Sequence, residues 1–220
     1  MLPVATFHSP FSSKFGIPRQ SGVVSDLRGR IVLEKEYRTA EAIRGLEDFD
    51  YLWLIWGFSA NRHEARGVTV RPPRLGGNRH LGVFATRSPF RPNPLGLSSV
   101  RIDRIDLDSP EAPVIHVLGA DLMDGTPIYD IKPYIPYTDA HPDARGGFTD
   151  SAQWQALRVE VPESMRHAVT EDLMQVLAQD PRPQYHNDPE RVYGMPYDGK
   201  DVRFRVEGDT LKVVEIASVI

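Results

Sequence analysis

Three polar side chains alternate along one short stretch of the sequence, DGTPIYDIKPY at residues 124–134. Asp130, Lys132 and Tyr134 are two residues apart, so on a β-strand they would lie on the same face. A carboxylate, a cation and a phenol on one face have two uses: a surface ion pair, or a site where Asp130 accepts a proton and Tyr134 orients a base. Asp124 begins an Asp-Gly turn, where it either caps the turn or contacts a ligand. The residue pattern leaves both pairs of alternatives open.

A second chemical signal is the concentration of arginine in residues 61–94. This segment has seven arginines, no lysine and a single acid, Glu64, so it carries about +6 of formal charge and leaves about −10 for the rest of a chain whose net charge is −4. Guanidinium groups bind phosphate or carboxylate through paired hydrogen bonds. We therefore expect an anionic partner, the alternative being that these arginines pair with the acidic remainder of the chain. The seven are Arg62, Arg66, Arg71, Arg74, Arg79, Arg87 and Arg91.

Prolines and glycines stiffen the polar segments of the chain. Proline fixes the backbone in advance, so a loop that carries Arg91 or Asn93 loses less entropy when it binds a ligand. Four segments combine such residues with side chains that have several hydrogen-bonding groups: PRQ at residues 18–20, VRPPRLGGN at 70–78, FATRSPFRPNPLGLS at 84–98, and DGTPIYDIKPY.

Several classes of site are excluded or disfavoured by what the sequence lacks. There is no His-Glu-x-x-His motif, phosphate-binding Gly-x-x-x-x-Gly-Lys, nucleophile elbow or dinucleotide fingerprint Gly-x-Gly-x-x-Gly. The chain has no cysteine, and His8, His63 and His80 lack metal-ligand spacing, so we expect no metal site. No apolar run is long enough to span a bilayer and the N-terminus does not resemble an export signal, so we expect a cytoplasmic protein with no membrane partner.

The apolar pattern of residues 1–140 predicts a sheet. Short apolar runs alternate with prolines and glycines, and no long amphipathic helix separates them, which favours an antiparallel sheet closing toward a barrel over a parallel α/β fold. Thr39 is expected to cap a short helix. Trp53 and Trp56 lie in the most apolar run, where tryptophan is more often a core residue than a cofactor contact. The predicted strands include residues 51–60, 80–87, 98–107 and 114–119.

A smaller α+β unit is predicted after a polar, glycine-rich linker at residues 138–151. Its elements are a strand in ALRVEV, a helix over residues 163–179 and a terminal hairpin, in which Val202, Phe204 and Val206 alternate against Leu211 and Val213.

The four stiff polar motifs resemble those of the TsaA-like, or TrmO, family of tRNA methyltransferases, and LAQDPRPQY at residues 177–185 resembles the C-terminal part of that family. The resemblance covers nearly the whole chain. It implies a mainly β fold, in which residues 1–140 form a single-sheeted antiparallel β-barrel that binds S-adenosylmethionine and residues 150–220 form a small α+β C-terminal domain. It also implies a homodimeric enzyme that methylates N6 of the adenosine at position 37, in the tRNA anticodon loop, where bacterial substrates already carry a threonylcarbamoyl group.

By motif matching, the resemblance implies roles for individual residues. Asp130 is the first candidate for the group that accepts the amine proton and Asp124 the second, with Tyr134 orienting or stacking. Related sequences often have a polar pair at Ser59-Ala60, so a backbone contact is expected there. The implied cofactor contacts are Pro18, Arg19, Gln20, Ser59, Ala60, Arg87, Leu97, Asp124, Gly125 and Thr126. The implied RNA contacts are Arg71, Arg74, Arg79, Arg91, Asn93 and Lys132, with Arg62 and Arg66 as further phosphate contacts.

Two other function classes stay open at this point. A non-catalytic RNA-binding barrel would keep the arginines but would not bind S-adenosylmethionine. A methyltransferase that acts on a small anionic molecule would bind the cofactor and ignore tRNA.

Overall fold

The computed structural model describes residues 1–61, 67–72, 79–151, 155–182 and 188–218. Twelve strands and three α-helices are assigned in these ranges. The strands are β1 (Ala5–His8), β2 (Arg28–Leu33), β3 (Tyr51–Gly57), β4 (Thr69–Val70), β5 (Leu81–Gly82), β6 (Leu95–Asp106), β7 (Val114–Leu118), β8 (Thr126–Pro133), β9 (Arg158–Glu160), β10 (Tyr193–Tyr197), β11 (Lys200–Glu207) and β12 (Thr210–Ser218). The helices are α1 (Pro136–Asp139), α2 (Phe148–Ser151) and α3 (Glu171–Ala178).

Six strands form one antiparallel sheet whose order is β1-β2-β7-β6-β3-β8. The sheet closes on itself because β1 pairs on one side with β2 and on the other with β8. Period-two alternation turns one set of side chains inward: Leu52, Leu54 and Trp56 of β3 are buried, together with Phe7 and Ile128 of the adjoining strands. The prediction of a mainly β protein with an antiparallel sheet is confirmed.

A separate four-stranded sheet, with the order β10-β11-β12-β9, follows in the chain. The predicted terminal hairpin is present as β11 and β12, and α3 buries Leu173, Val176 and Leu177 against this sheet. The prediction of one helix over residues 163–179 is wrong. A 3-10 helix at Glu163–Ala168 ends at Val169 and Thr170, both extended, before α3 begins. Two successive β-branched residues disfavour helix at that point.

Two further predictions fail where short-range hydrogen bonds replace regular structure. The single helix expected after Thr39 is two 3-10 turns, Ala40–Ile43 and Leu46–Asp48, separated by Gly45 with a φ of 86°. The strand expected over residues 80–87 is limited to β5. It is followed by a 3-10 turn in which the Thr86 backbone and hydroxyl both donate to the Val83 carbonyl. Among the described residues, no helix is long and apolar enough to cross a membrane.

The connection between β1 and β2 belongs to the core of the second sheet. Phe11, Val24 and Leu27 are buried in the same cluster as Phe204 and Leu173, and the Phe11 ring meets Tyr197 edge-on at a centroid distance of 5.3 Å. The Asp198 amide also donates to the Pro10 carbonyl at 2.8 Å. The loop that carries PRQ is therefore held from both sides, by the closed sheet through β1 and β2 and by the second sheet through its own apolar side chains.

Phe11→Ala should lower the free energy of unfolding by about 3–5 kcal/mol, because it removes a fully buried ring from a core that two parts of the chain share. Urea unfolding of the purified protein measures this change. Phe84→Ala is the matched control, since Phe84 is 80% exposed, and it should alter stability by less than about 0.5 kcal/mol. Equal effects of the two substitutions would contradict the shared core.

Candidate functional site

The candidate site lies at the end of the closed sheet where β1, β3 and β7 end and β6 and β8 begin. Antiparallel pairing places these ends together: Phe7 opposes Thr126, and Gly57 opposes Leu95. The loops that follow or precede these strands therefore meet, and they enclose a cavity of about 600 Å³. This volume is within the range of small-molecule sites.

The wall of the cavity contains a buried hydrogen-bonded chain. Trp56 Nε1 donates to Ser98 Oγ at 2.9 Å, and Ser98 Oγ donates to Asp121 Oδ1 at 2.5 Å. Gly96 makes this arrangement possible, because a Cβ at that position would lie 2.2 Å from Trp56 Cε2. The Trp56 ring also packs edge-on against Phe58 at a centroid distance of 4.4 Å. These two hydrogen bonds hold the Trp56 ring and the Asp121 carboxylate in place in the same cavity.

Asp121 lies between β7 and β8 and was not among the residues predicted from the sequence. Burial raises the pKa of its carboxyl group, and the Ser98 hydrogen bond and the charge of Arg87 act in the opposite direction. Among the described residues that line the cavity, Asp121 is the only acid. The sequence signal was an isolated acid in the apolar run LGADLM, just before the DGTP motif. Asp121 is not spaced from other polar residues in a pattern that would suggest a functional site.

The mouth of the cavity is cationic and is held by polar contacts. Arg87 donates from Nη1 to the side-chain oxygen of Gln20, and Arg91 Nη1 donates to the Thr86 carbonyl at 3.1 Å. Lys14 Nζ donates to Asn61 Oδ1 at 2.5 Å. The contact between Arg87 and Gln20 links two of the motifs that the sequence had singled out.

Most of the residues implied as cofactor contacts line this one cavity, although they come from four separate segments of the chain. They are Pro18, Arg19, Gln20, Ser59, Ala60, Arg87, Leu97 and Thr126.

Asp124 and Gly125, in contrast, do not belong to the lining. Asp124 Oδ1 instead accepts from the Ser9 amide at 3.2 Å and lies 3.0 Å from His8 Nδ1, so it anchors the end of β1. Gly125 has a φ of 74°, a conformation that favours glycine.

The three side chains predicted to share a strand face lie outside the cavity lining. Asp130 Oδ2 and Lys132 Nζ form an ion pair at 3.0 Å, which is the first of the two uses that the sequence left open. Tyr134 packs against Trp53 and Tyr51 at centroid distances of 5.7 and 6.1 Å. The structure places Asp130 and Lys132 on β8 and Tyr134 directly after it, and none of the three lines the cavity.

The residues implied as RNA contacts are divided between the cavity and the surface. Arg91 and Asn93 line the cavity. Arg71 and Arg79 are exposed, and Arg71 Nε donates to His80 Nε2 at 3.0 Å. Arg74 lies outside the described residues, as do Arg62 and Arg66. No group of three potential metal ligands occurs in the described part of the chain.

Comparison with known proteins agrees with this geometry. Residues 6–140 match the tRNA-methyltransferase O N-terminal domain and residues 147–219 match the TrmO C-terminal domain. The chain is 38% identical over 215 residues to the tRNA (adenine(37)-N6)-methyltransferase of Escherichia coli K12, covering 92% of this chain and 91% of that protein. A Pseudomonas aeruginosa relative, whose name describes an S-adenosylmethionine-dependent methyltransferase, is 41% identical over 227 residues. The match covers 98% of this chain and 96% of that protein. A crystal structure of TrmO superposes with a TM-score of 0.79 at 34% identity, covering 99% of this chain and 98% of that chain.

Gly96→Ala should destabilise the protein by about 1–3 kcal/mol, because the new methyl group displaces the Trp56 ring and breaks its hydrogen bond to Ser98. Gly82→Ala is a matched control: Gly82 has a φ of −56°, and a Cβ there would meet nothing within 4 Å. Urea unfolding compares the two variants with the parent protein. If both behave alike, the close approach of Gly96 to Trp56 has no energetic importance.

Asp121→Asn should stabilise the ligand-free protein at pH 7 relative to the parent protein. The folded-state pKa of Asp121 is raised, so its ionisation opposes folding. This loss begins as the pH rises through the ordinary value of 3.8 and is complete above the folded-state pKa. The two proteins should therefore be equally stable near pH 3 and diverge toward pH 7, as measured by urea unfolding at each pH. A difference that stays constant with pH would rule out ionisation as the cause.

Proposed function

The chain belongs to the tRNA-methyltransferase O (TrmO) family, and on that premise we propose that it transfers the methyl group of S-adenosylmethionine to N6 of the adenosine at position 37 of tRNA. The observation that supports this most directly is the cavity. It gathers Pro18-Arg19-Gln20, Ser59-Ala60, Arg87 and Leu97 at one end of the closed sheet. We further propose that this closed sheet is the single-sheeted barrel expected of the family.

The residues present fit S-adenosylmethionine by their chemistry. The cofactor has a carboxylate, which Arg19 and Arg87 can bind, and an adenine, which suits the apolar surface that Trp56 and Phe58 provide. When bound, it supplies an electrophilic methyl group on a positively charged sulfur. The chain contributes rigid placement, because the Arg87–Gln20 contact and the Gly96–Trp56 packing are formed before any ligand arrives.

The cationic mouth of the cavity is suited to an RNA loop. Position 37 lies beside the anticodon, in a loop, so its base is presented to a protein at less cost than a base paired in a duplex. Arg91 and Asn93 line the cavity, and Arg71 and Arg79 are exposed on the same arginine-rich segment. We propose that the two lining residues contact the anticodon loop and that the exposed arginines bind phosphate, which positions RNA without reading its sequence.

The structure gives less support for a particular proton acceptor than it gives for the cofactor-binding residues. Asp130 does not line the cavity, and it pairs with Ile55 of β3, the neighbour of the cavity residue Trp56. Directly opposed residues share one face of a sheet and successive residues of a strand face opposite sides, so Asp130 lies on the other face from Trp56 and is not placed to accept a proton from an amine bound in the same cavity. We therefore propose Asp130, with Tyr134, as a proton acceptor only for the cavity of a second subunit in the expected homodimer. Asp124, near the mouth, stays the alternative within one chain.

The decisive experiment incubates the purified protein with methyl-labelled S-adenosylmethionine and total tRNA from a bacterial strain that lacks this activity. Digestion and mass spectrometry then identify the labelled nucleoside. We expect label on N6 of threonylcarbamoyladenosine, and unmodified adenosine at position 37 tests whether the threonylcarbamoyl group is required. Arg87→Ala should reduce labelling, because it removes a lining cation and the contact with Gln20.

Two outcomes would favour the other function classes. Cofactor binding without label in any nucleoside would indicate a methyltransferase for a small anionic molecule. Binding of tRNA without cofactor binding would indicate a non-catalytic RNA-binding protein.

A further inference from the structure

The cavity has an imbalance of charge that concerns its ligand. Lys14, Arg19, Arg87 and Arg91 are among its lining residues, and Asp121 is the only acid among those that the structure describes. S-adenosylmethionine is itself cationic at neutral pH, since its sulfonium and ammonium groups outweigh one carboxylate. Like charges repel more strongly where water is scarce. A cavity of this composition therefore needs its one carboxylate to face the positive part of the cofactor.

Asp121 is placed for such a role. Its carboxylate accepts a hydrogen bond from the Ser98 hydroxyl, and the backbone amides of Ser21 and of Asp121 itself also act on it. It forms none of the ion pairs present among the described residues. Arg87, the basic residue whose charge acts on it, donates instead to Gln20. A partly buried carboxylate without a paired cation is costly, and a cationic ligand relieves that cost. The folded protein thus holds a carboxylate that forms no ion pair among the described residues, in the cavity where a cation is expected to bind.

Resting on the proposed function, we propose that Asp121 is the counter-charge of the cofactor sulfonium, and that it enables the cavity to distinguish S-adenosylmethionine from its uncharged-sulfur product, S-adenosylhomocysteine. A sulfonium has no hydrogen to donate, so it is stabilised by charge and contact alone. One carboxylate in a largely apolar wall with Trp56 and Met123 provides this environment. The cofactor ammonium requires several acceptors at once and suits a wetter part of the cavity.

This role affects turnover as well as binding. Transfer of the methyl group leaves a neutral sulfide, so the product loses its attraction to Asp121 and the carboxylate again has no paired cation. Product affinity then falls relative to cofactor affinity. The arrangement has a cost in rate, because a counter-charge stabilises the bound cofactor more than the transition state, in which the sulfur charge is diminishing.

Isothermal titration of the purified protein with each of the two ligands tests the proposal without any measurement of methyl transfer. Asp121→Asn keeps the shape of the side chain and an oxygen that accepts from Ser98. It should weaken S-adenosylmethionine binding about tenfold or more and S-adenosylhomocysteine binding less than about threefold. Asp103→Asn removes an equal charge from an exposed position beside Arg104 and should leave both affinities unchanged. Retained binding of S-adenosylhomocysteine shows that the Asp121 variant is folded.

The other outcomes overturn the proposal. Equal losses for the two ligands would show that Asp121 binds a group that both share, such as a ribose hydroxyl or the ammonium. Unchanged affinity for both would show that Asp121 does not contact the cofactor. A parent protein that binds neither ligand would overturn the proposed function itself, and this inference with it.

Discussion

The double pairing of β1 is the constraint on which the site depends. This four-residue strand bonds to β2 on one side and to β8 on the other, and so closes a sheet of strands that are far apart in sequence. Closure removes the sheet edges and brings the ends of β1, β3 and β7 together. Loops separated by more than 100 residues then form one cavity. The loop after β1 has a second anchor, because Phe11 and Leu27 are buried in the core of the C-terminal sheet. That sheet therefore supports a part of the site to which it contributes none of the described lining residues.

Within the cavity, stability and binding make opposite demands. Trp56 is positioned by the absence of a side chain at Gly96, and its indole fixes the Ser98 hydroxyl that holds Asp121. An apolar residue at position 121 would remove a buried carboxylate with a raised pKa and would suit folding better. A destabilising group that is kept in place by two successive hydrogen bonds is typical of a binding site rather than of a core. The same reasoning does not apply to Asp130, whose ion pair with Lys132 is exposed and contributes little.

Sequence patterns predicted the parts of the fold that depend on neighbouring residues. The apolar run of β3 and the alternation in β11 and β12 were sufficient, because each strand buries one face. The helix over residues 163–179 was overextended, because apolar spacing continued across Val169 and Thr170 although their backbone is extended. Alternation correctly placed Asp130 and Lys132 on one face of β8 but gave no information about distance from the cavity. Asp121 was missed because its importance arises from Ser98 and Trp56, which only the pairing of β6 with β3 and with β7 brings to it.

The two ligands of the proposed function, tRNA and S-adenosylmethionine, have opposite charges and would bind at different depths of one site. In the proposed function, exposed arginines such as Arg71 and Arg79 would act through water, where salt screens their attraction for phosphate beyond about 8 Å. Asp121 acts inside the cavity, where fewer mobile ions and less water intervene and a single charge has a stronger effect at short range. A polyanion held at the mouth and a cation held within therefore do not require separate faces. The excess of arginine, which the sequence suggested was for an anionic partner, would otherwise exclude a cationic cofactor. In the proposed role of Asp121, one acid inside the cavity offsets that positive charge.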